Sequence, residues 1–175
     1  KDIVAIVAFR DEVRLIEDFT STVSRLEAAL ARVRYTPPTG HDPRFGGTSL
    51  YNAIVLAARE LLAKQPGRRT ILLLTDGEDT TSLYRLPEAI AEALRAEATI
   101  YAIGIGDRYR FGINSGVLRR LTQETGGRAY FPKNAGDLAR AFREIETELR
   151  SQYLVAYYPS DPTPDGRFRQ IEIRV

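Results

Sequence analysis

The chain opens on a continuous apolar run, Ile3 to Phe9, of β-branched and small residues. Such a run marks a strand buried on both faces by flanking helices, and so implies a parallel sheet. After the polar Arg10, Asp11 and Glu12, the stretch Val13 to Phe19 predicts a hairpin to a less buried, antiparallel edge strand. From Ser21, the positions Val23, Leu26, Leu30 and Val33 recur at helical spacing, with Thr20 placed to cap the first turn. Tyr35 to Gly47 is rich in Pro and Gly and reads as a loop entering a second helix. That helix carries Leu50, Ile54, Ala57, Leu61 and Leu62 on one face and is stopped by Pro66 and Gly67.

The buried-strand pattern returns at Thr70 to Thr75 and runs straight into Asp76, Gly77, Glu78 and Asp79, which puts these acids at the strand's carboxyl end. Pro87 suits a first helical position, and Ala89, Ile90, Ala93 and Leu94 continue a helix leading to a strand over Thr99 to Ile105. Leu118, Leu121 and Thr125 mark a further helix closed by Gly126 and Gly127. A short strand at Arg128 to Phe131 follows, and then a last helix with Leu138, Ala139, Phe142, Ile145 and Leu149, capped by Asn134. Gln152 to Tyr158 and Phe168 to Val175 are strand-like on either side of Pro164, Asp165 and Gly166, the pattern of an antiparallel hairpin. The alternation of strand and helix predicts a doubly wound, Rossmann-like α/β fold. Its sheet is mostly parallel and flanked by helices, with one antiparallel edge strand and a C-terminal β-hairpin.

At 175 residues the chain has the size of one domain. A 43% hydrophobic and 27% charged composition excludes long disordered stretches. No apolar run approaches the roughly 20 residues that span a bilayer. A formal charge of +2, with basic residues scattered among acids, argues against a nucleic-acid footprint. The absence of cysteine excludes disulfides, zinc–thiolate sites and thiol nucleophiles. The chain also lacks Met and begins directly on a strand pattern, so an upstream segment is expected.

Candidate chemistry follows from position, because open α/β sheets bind ligands at the carboxyl ends of their strands. Gly46, Gly47 and Thr48 enter a helix there, and Thr75, Asp76 and Gly77 leave a strand. A hydroxyl and a carboxylate from separate loops suit a hard divalent cation with open positions for water or a partner. Each also has a structural reading, Thr48 as a helix cap and Asp76 as the start of a turn through Gly77. Glu78 and Asp79 are candidates for the outer layer of such a site. Asp107 is read as a turn residue. His41, the only histidine, has no Ser or Cys partner at a spacing that signals a catalytic triad. Tyr153, Tyr157 and Tyr158 divide between core and hairpin surface.

The run Gly47, Thr48, Ser49, Leu50, Tyr51, Asn52, followed by Leu72, Leu73, Leu74, Thr75, Asp76, Gly77, resembles two segments of the metal-ion-dependent adhesion site of von Willebrand factor type A domains. The strand at Ile3, the strand at Tyr101 to Gly106 and the Gly126, Gly127 turn fall in the family's order. The end of the chain is similar to a bacterial branch with an extra C-terminal hairpin. The division implied is a type A domain over 1–150, lacking its first strand and helix, with 151–175 as a hairpin extension.

The resemblance implies Thr48 as a direct ligand and Asp76 as a direct or water-mediated ligand of Mg²⁺ or Mn²⁺, with a protein partner completing the shell through an Asp or Glu carboxylate. Recognition is implied, not catalysis. The family's Asp-x-Ser-x-Ser loop precedes Lys1 in this reading, which leaves two of five metal-binding positions and a weak or absent metal. The missing unit is one strand with its crossover helix, of the roughly 30 residues that a βαβ unit spans. The sheet is then expected to show a gap of roughly 9 to 10 Å, two strand spacings, or an abnormal closure. The alternatives are a scaffold with an unused metal site and a Mg²⁺-dependent phosphoester enzyme, the latter weakened by the lack of a Gly-x-x-x-x-Gly-Lys loop. An exported bacterial protein is the preferred setting.

Overall fold

The computed structural model describes residues 2–33, 47–106 and 112–151. The element order is β1 (Val4–Phe9), β2 (Val13–Thr20), α1 (Val23–Arg32), α2 (Leu50–Leu56), β3 (Arg69–Thr75), α3 (Leu86–Arg95), β4 (Ala98–Gly104), α4 (Ser115–Glu124), β5 (Ala129–Tyr130) and α5 (Ala135–Ser151). Helix α2 is prolonged by a π-helical turn at Ala57–Leu61 and a 3-10 turn at Leu62–Lys64. The C-terminal hairpin, most of the Pro and Gly rich loop, His41, Asp107 and Tyr153, Tyr157 and Tyr158 lie outside the described residues.

The strands form two ladders. Strands β3, β4 and β5 pair in that order and in parallel, with Arg69 opposite Ala98, Thr75 opposite Gly104, and Ala102 opposite Ala129. Strands β1 and β2 pair antiparallel as a separate sheet, Phe9 opposite Val13. Among the described residues no ladder joins β1 to β3, so the sheet is interrupted where an interruption was expected.

Strand β4 carries the doubly wound core. On one face Ile100 and Ala102 join Ile71 and Leu73 of β3 against Leu50 and Ile54 of α2, Ile90 of α3 and Leu118 and Leu121 of α4. On the other, Tyr101 and Ile103 are completely buried against Ile145 of α5. Each such side chain contributes about 1.5–3 kcal/mol by leaving water.

Two strands depart from the doubly buried pattern. Strand β3 buries Ile71, Leu73 and Thr75 but leaves Leu72 and Leu74 38% and 48% exposed, because α5 covers the second face only over β4 and β5. Strand β1 pairs antiparallel with β2, as the hairpin pattern predicts, but it was also expected to be buried on both faces within a parallel sheet; among the described residues it pairs with β2 alone, and Val4 is 45% exposed. Its apolar run satisfies one face, with Phe9 packed on the main core.

Helix ends are fixed largely as the residue types dictate. The Asn134 side chain accepts from the Asp137 N–H at 2.9 Å and so begins α5. Thr20 does not cap α1: its hydroxyl accepts from the Thr22 N–H, and Thr22 is the residue before the first turn. Pro87 stands second rather than first in α3, where its missing N–H costs nothing. Helix α4 ends in a Schellman turn, with the Gly127 N–H reaching the Thr122 carbonyl at 2.8 Å and Gly126 at φ +82°.

Candidate metal centre

The loop before α2 and the loop after β3 are laced together at the carboxyl edge of the sheet. The Thr48 N–H donates to the Thr80 hydroxyl at 2.8 Å, and the Thr48 carbonyl accepts from the Thr80 and Thr81 N–H groups at 2.9 and 3.3 Å. The Thr48 hydroxyl makes no hydrogen bond among the described residues.

Thr48 is not the helix cap that its residue type suggests. The first amides of α2 are satisfied across the chain: Tyr51 N–H donates to the Asp79 carboxylate at 2.9 Å and Asn52 N–H to the Ser82 hydroxyl at 2.9 Å. Asp79 also accepts from the Ser82 hydroxyl at 2.6 Å. A carboxylate at the first turn of a helix is favoured by the exposed amides and the helix dipole. Asp79 is thereby occupied as a cap. The Asn52 side-chain oxygen in turn accepts from the Leu83 N–H at 2.9 Å, so the loop is held along the first turn of α2.

Asp76 is half-buried at the exit of β3. Its Oδ1 accepts from the Glu78 N–H at 3.1 Å, the turn role, and its carbonyl accepts from the Asn114 N–H at 2.8 Å. Oδ2 has no hydrogen-bond partner among the described residues. Glycines allow this crowding. At Gly106 a Cβ would stand 3.2 Å from the Asp76 Cβ, and Gly77, at φ +86°, would meet the Asn114 carbonyl oxygen at 2.8 Å. Glu78 is exposed. Burial, with the charges of Asp79 and Glu78 adding to it, pushes the Tyr51 phenol above its ordinary value.

Thr48 and Asp76 are thus brought to one edge through hydrogen-bonded loops, with no direct bond between them among the described contacts. Among the described residues no three His, Asp or Glu side chains gather as a metal cluster. A threonine hydroxyl and a carboxylate oxygen, neither with a hydrogen-bond partner among the described residues, nevertheless match the donor chemistry of a hard cation that keeps several waters.

The family model for the von Willebrand factor type A domain matches residues 1–144. The chain belongs to the von Willebrand factor type A domain family. Members of the family commonly mediate protein interactions. Solved structures with this fold include BatB of Bacteroides thetaiotaomicron, a conserved hypothetical protein (19% identity, 86% of this chain, 80% of that chain, TM-score 0.61). An aerotolerance-related membrane protein of Bacteroides fragilis matches similarly (19% identity, 86% and 80%, TM-score 0.64). A von Willebrand factor type A protein of Catenulispora acidiphila matches over 83% of this chain and 33% of that one, at 22% identity and TM-score 0.65. At these identities the likeness is one of fold. No curated protein matches the chain.

Sequence reasoning named Thr48 and Asp76 as candidates but did not give their setting. Asp79 as the cap of α2, Thr80, Thr81 and Ser82 as clamps on its entry loop, and Asp11 beside Gly47 were missed. The only signal was the density of hydroxyl residues at 80–82.

Proposed function

We propose that this type A domain is a protein-binding module in which Thr48 and Asp76 hold a divalent cation, Mg²⁺ or Mn²⁺, that bridges to a partner's Asp or Glu carboxylate. The observation that carries this reading is the Thr48 hydroxyl, which makes no hydrogen bond among the described residues. Its backbone is clamped, and the capping work expected of it is done by Asp79. The cation would supply a positive charge able to accept the partner's carboxylate oxygen. Thr48 and Asp76 would orient it, and the loop at 79–82 would keep Thr48 in place. With so few protein ligands, affinity for the ion alone is modest and rises when the partner adds its oxygen.

Calorimetric titration of Mg²⁺ and Mn²⁺ into the full-length protein tests this. Binding that disappears in Thr48→Ala and Asp76→Ala, with unchanged circular dichroism, supports the site. No binding in the unaltered protein overturns it and leaves the scaffold reading, which the turn bond from Glu78 N–H to Asp76 favours. One neighbour of the same fold is described as a membrane protein, and no described helix is long and apolar enough to cross a membrane. We infer a membrane-associated or exported setting.

A further inference from the structure

The turn between β1 and β2 closes the other side of the Thr48 loop. The Ser49 N–H donates to the Arg10 carbonyl at 2.7 Å, and the Ser49 hydroxyl donates to the Asp11 carbonyl at 3.0 Å. The Gly47 N–H donates to the Asp11 carboxylate. Residue 47 has no room for a side chain, since a Cβ would stand 2.2 Å from Thr81 Cγ2 and 2.8 Å from Asp11 Oδ1. The residues on each side of Thr48 are therefore tied to the hairpin turn, while Thr48 itself is tied to Thr80 and Thr81.

We propose that Asp11 is a positioning residue for the Thr48 hydroxyl, acting through the Gly47 amide as a hydrogen-bond acceptor rather than through its charge. The proposal rests on the cation site described above. A hydroxyl is a weak donor to a cation, and it contributes only if it arrives oriented; a loop that must be ordered on binding gives back part of the affinity. Asp11 performs this ordering beforehand. Its ion pair with Arg10, at 3.8 Å between half-exposed groups, adds little.

Two variants separate acceptor from charge. Asp11→Asn keeps Oδ1 as an acceptor and removes the charge, whereas Asp11→Ala removes both. In the full-length protein, Mg²⁺ affinity measured by calorimetry should fall about tenfold in Asp11→Ala, the loss expected for one residue's backbone freedom, and stay within about twofold in Asp11→Asn. Amide hydrogen exchange at Gly47 and Thr48, measured without metal, should accelerate in Asp11→Ala and stay near the unaltered rate in Asp11→Asn.

An equal loss of affinity in both variants makes Asp11 a charge contributor and overturns the positioning role. Unchanged exchange in Asp11→Ala also overturns it, even if the cation site stands. A protein that binds no Mg²⁺ at all overturns the cation site and with it the positioning role, and the exchange rates still report whether Asp11 holds the loop.

Discussion

Arg59, in the π-helical turn of α2, reaches the buried carboxylate of Glu92 on α3 at 2.6 Å. Arg95 pairs with the same carboxylate, and the Arg59 guanidinium lies 5.4 Å over the Tyr84 ring. The wider π turn keeps Ala58 fully buried while sending the next residue out to its partner.

This pairing makes stability depend on acid. The hydrogen bond from Arg59, outweighing the opposing effect of burial, holds the Glu92 carboxyl below its ordinary value. A carboxylate with a lowered folded pKa adds stability above the unfolded value near 4.3, and that stability is lost as pH falls through the folded pKa. Glu92→Gln should therefore cost about 1–3 kcal/mol at pH 7, reduced by the 44% exposure of Arg59, and the cost should shrink below about pH 4. Urea unfolding at pH 7 and pH 3.5 checks this; equal losses at both would show that the ion pair carries none of the difference.

Ser49→Ala removes a buried hydroxyl that donates to the Asp11 carbonyl and lies 2.8 Å from the Thr81 hydroxyl. The expected loss is about 1–2 kcal/mol. A double-mutant cycle with Thr81→Val should show coupling of about 0.5 kcal/mol or more, whereas strict additivity would deny a shared bond.

Glycines at two turns of one helix should behave oppositely. A Cβ on Gly127 would stand 2.0 Å from the Ile100 carbonyl oxygen, so Gly127→Ala should destabilise by several kcal/mol, about 3 or more, or prevent folding. At Gly116 the nearest atom would be 3.7 Å away, and Gly116→Ala should stabilise α4 by about 0.5–1 kcal/mol. Thermal unfolding of both variants gives the comparison.

Thr125 ties the end of α4 to β4: its buried hydroxyl accepts from the Ile100 N–H at 3.0 Å and donates to the Leu121 carbonyl at 2.8 Å. Thr125→Val keeps the shape and orphans a backbone N–H, so a loss of about 1–3 kcal/mol is expected in chemical denaturation. A neutral result would mean that water replaces the hydroxyl.

Periodicity made most elements legible, since apolar spacing records what each face must bury. It placed β3 and β4 within a residue and located the helices α2 to α5. It placed β1 but misread its burial, since the run Ile3 to Phe9 reads as doubly buried; apolar content states what a strand can bury, and neighbours decide what it does bury. The candidate residues Thr48 and Asp76 were legible as residue types at a sheet edge. Capping was not, because Asp79 reaches Tyr51 across 28 positions of sequence, and short-range rules assign a cap only to adjacent residues. Asp11 was hidden for the same reason, lying 36 positions from Gly47.

The interrupted sheet gives the edge at Thr48 a second property. The hairpin and the parallel strands are two ladders, and the bonds of Gly47, Thr48 and Ser49 stitch one to the other. A ligand held at this stitch would be coupled to how firmly the two ladders are seated. By thermodynamic reciprocity, whatever factor firm seating added to such a ligand's affinity, the bound ligand would return to the seating.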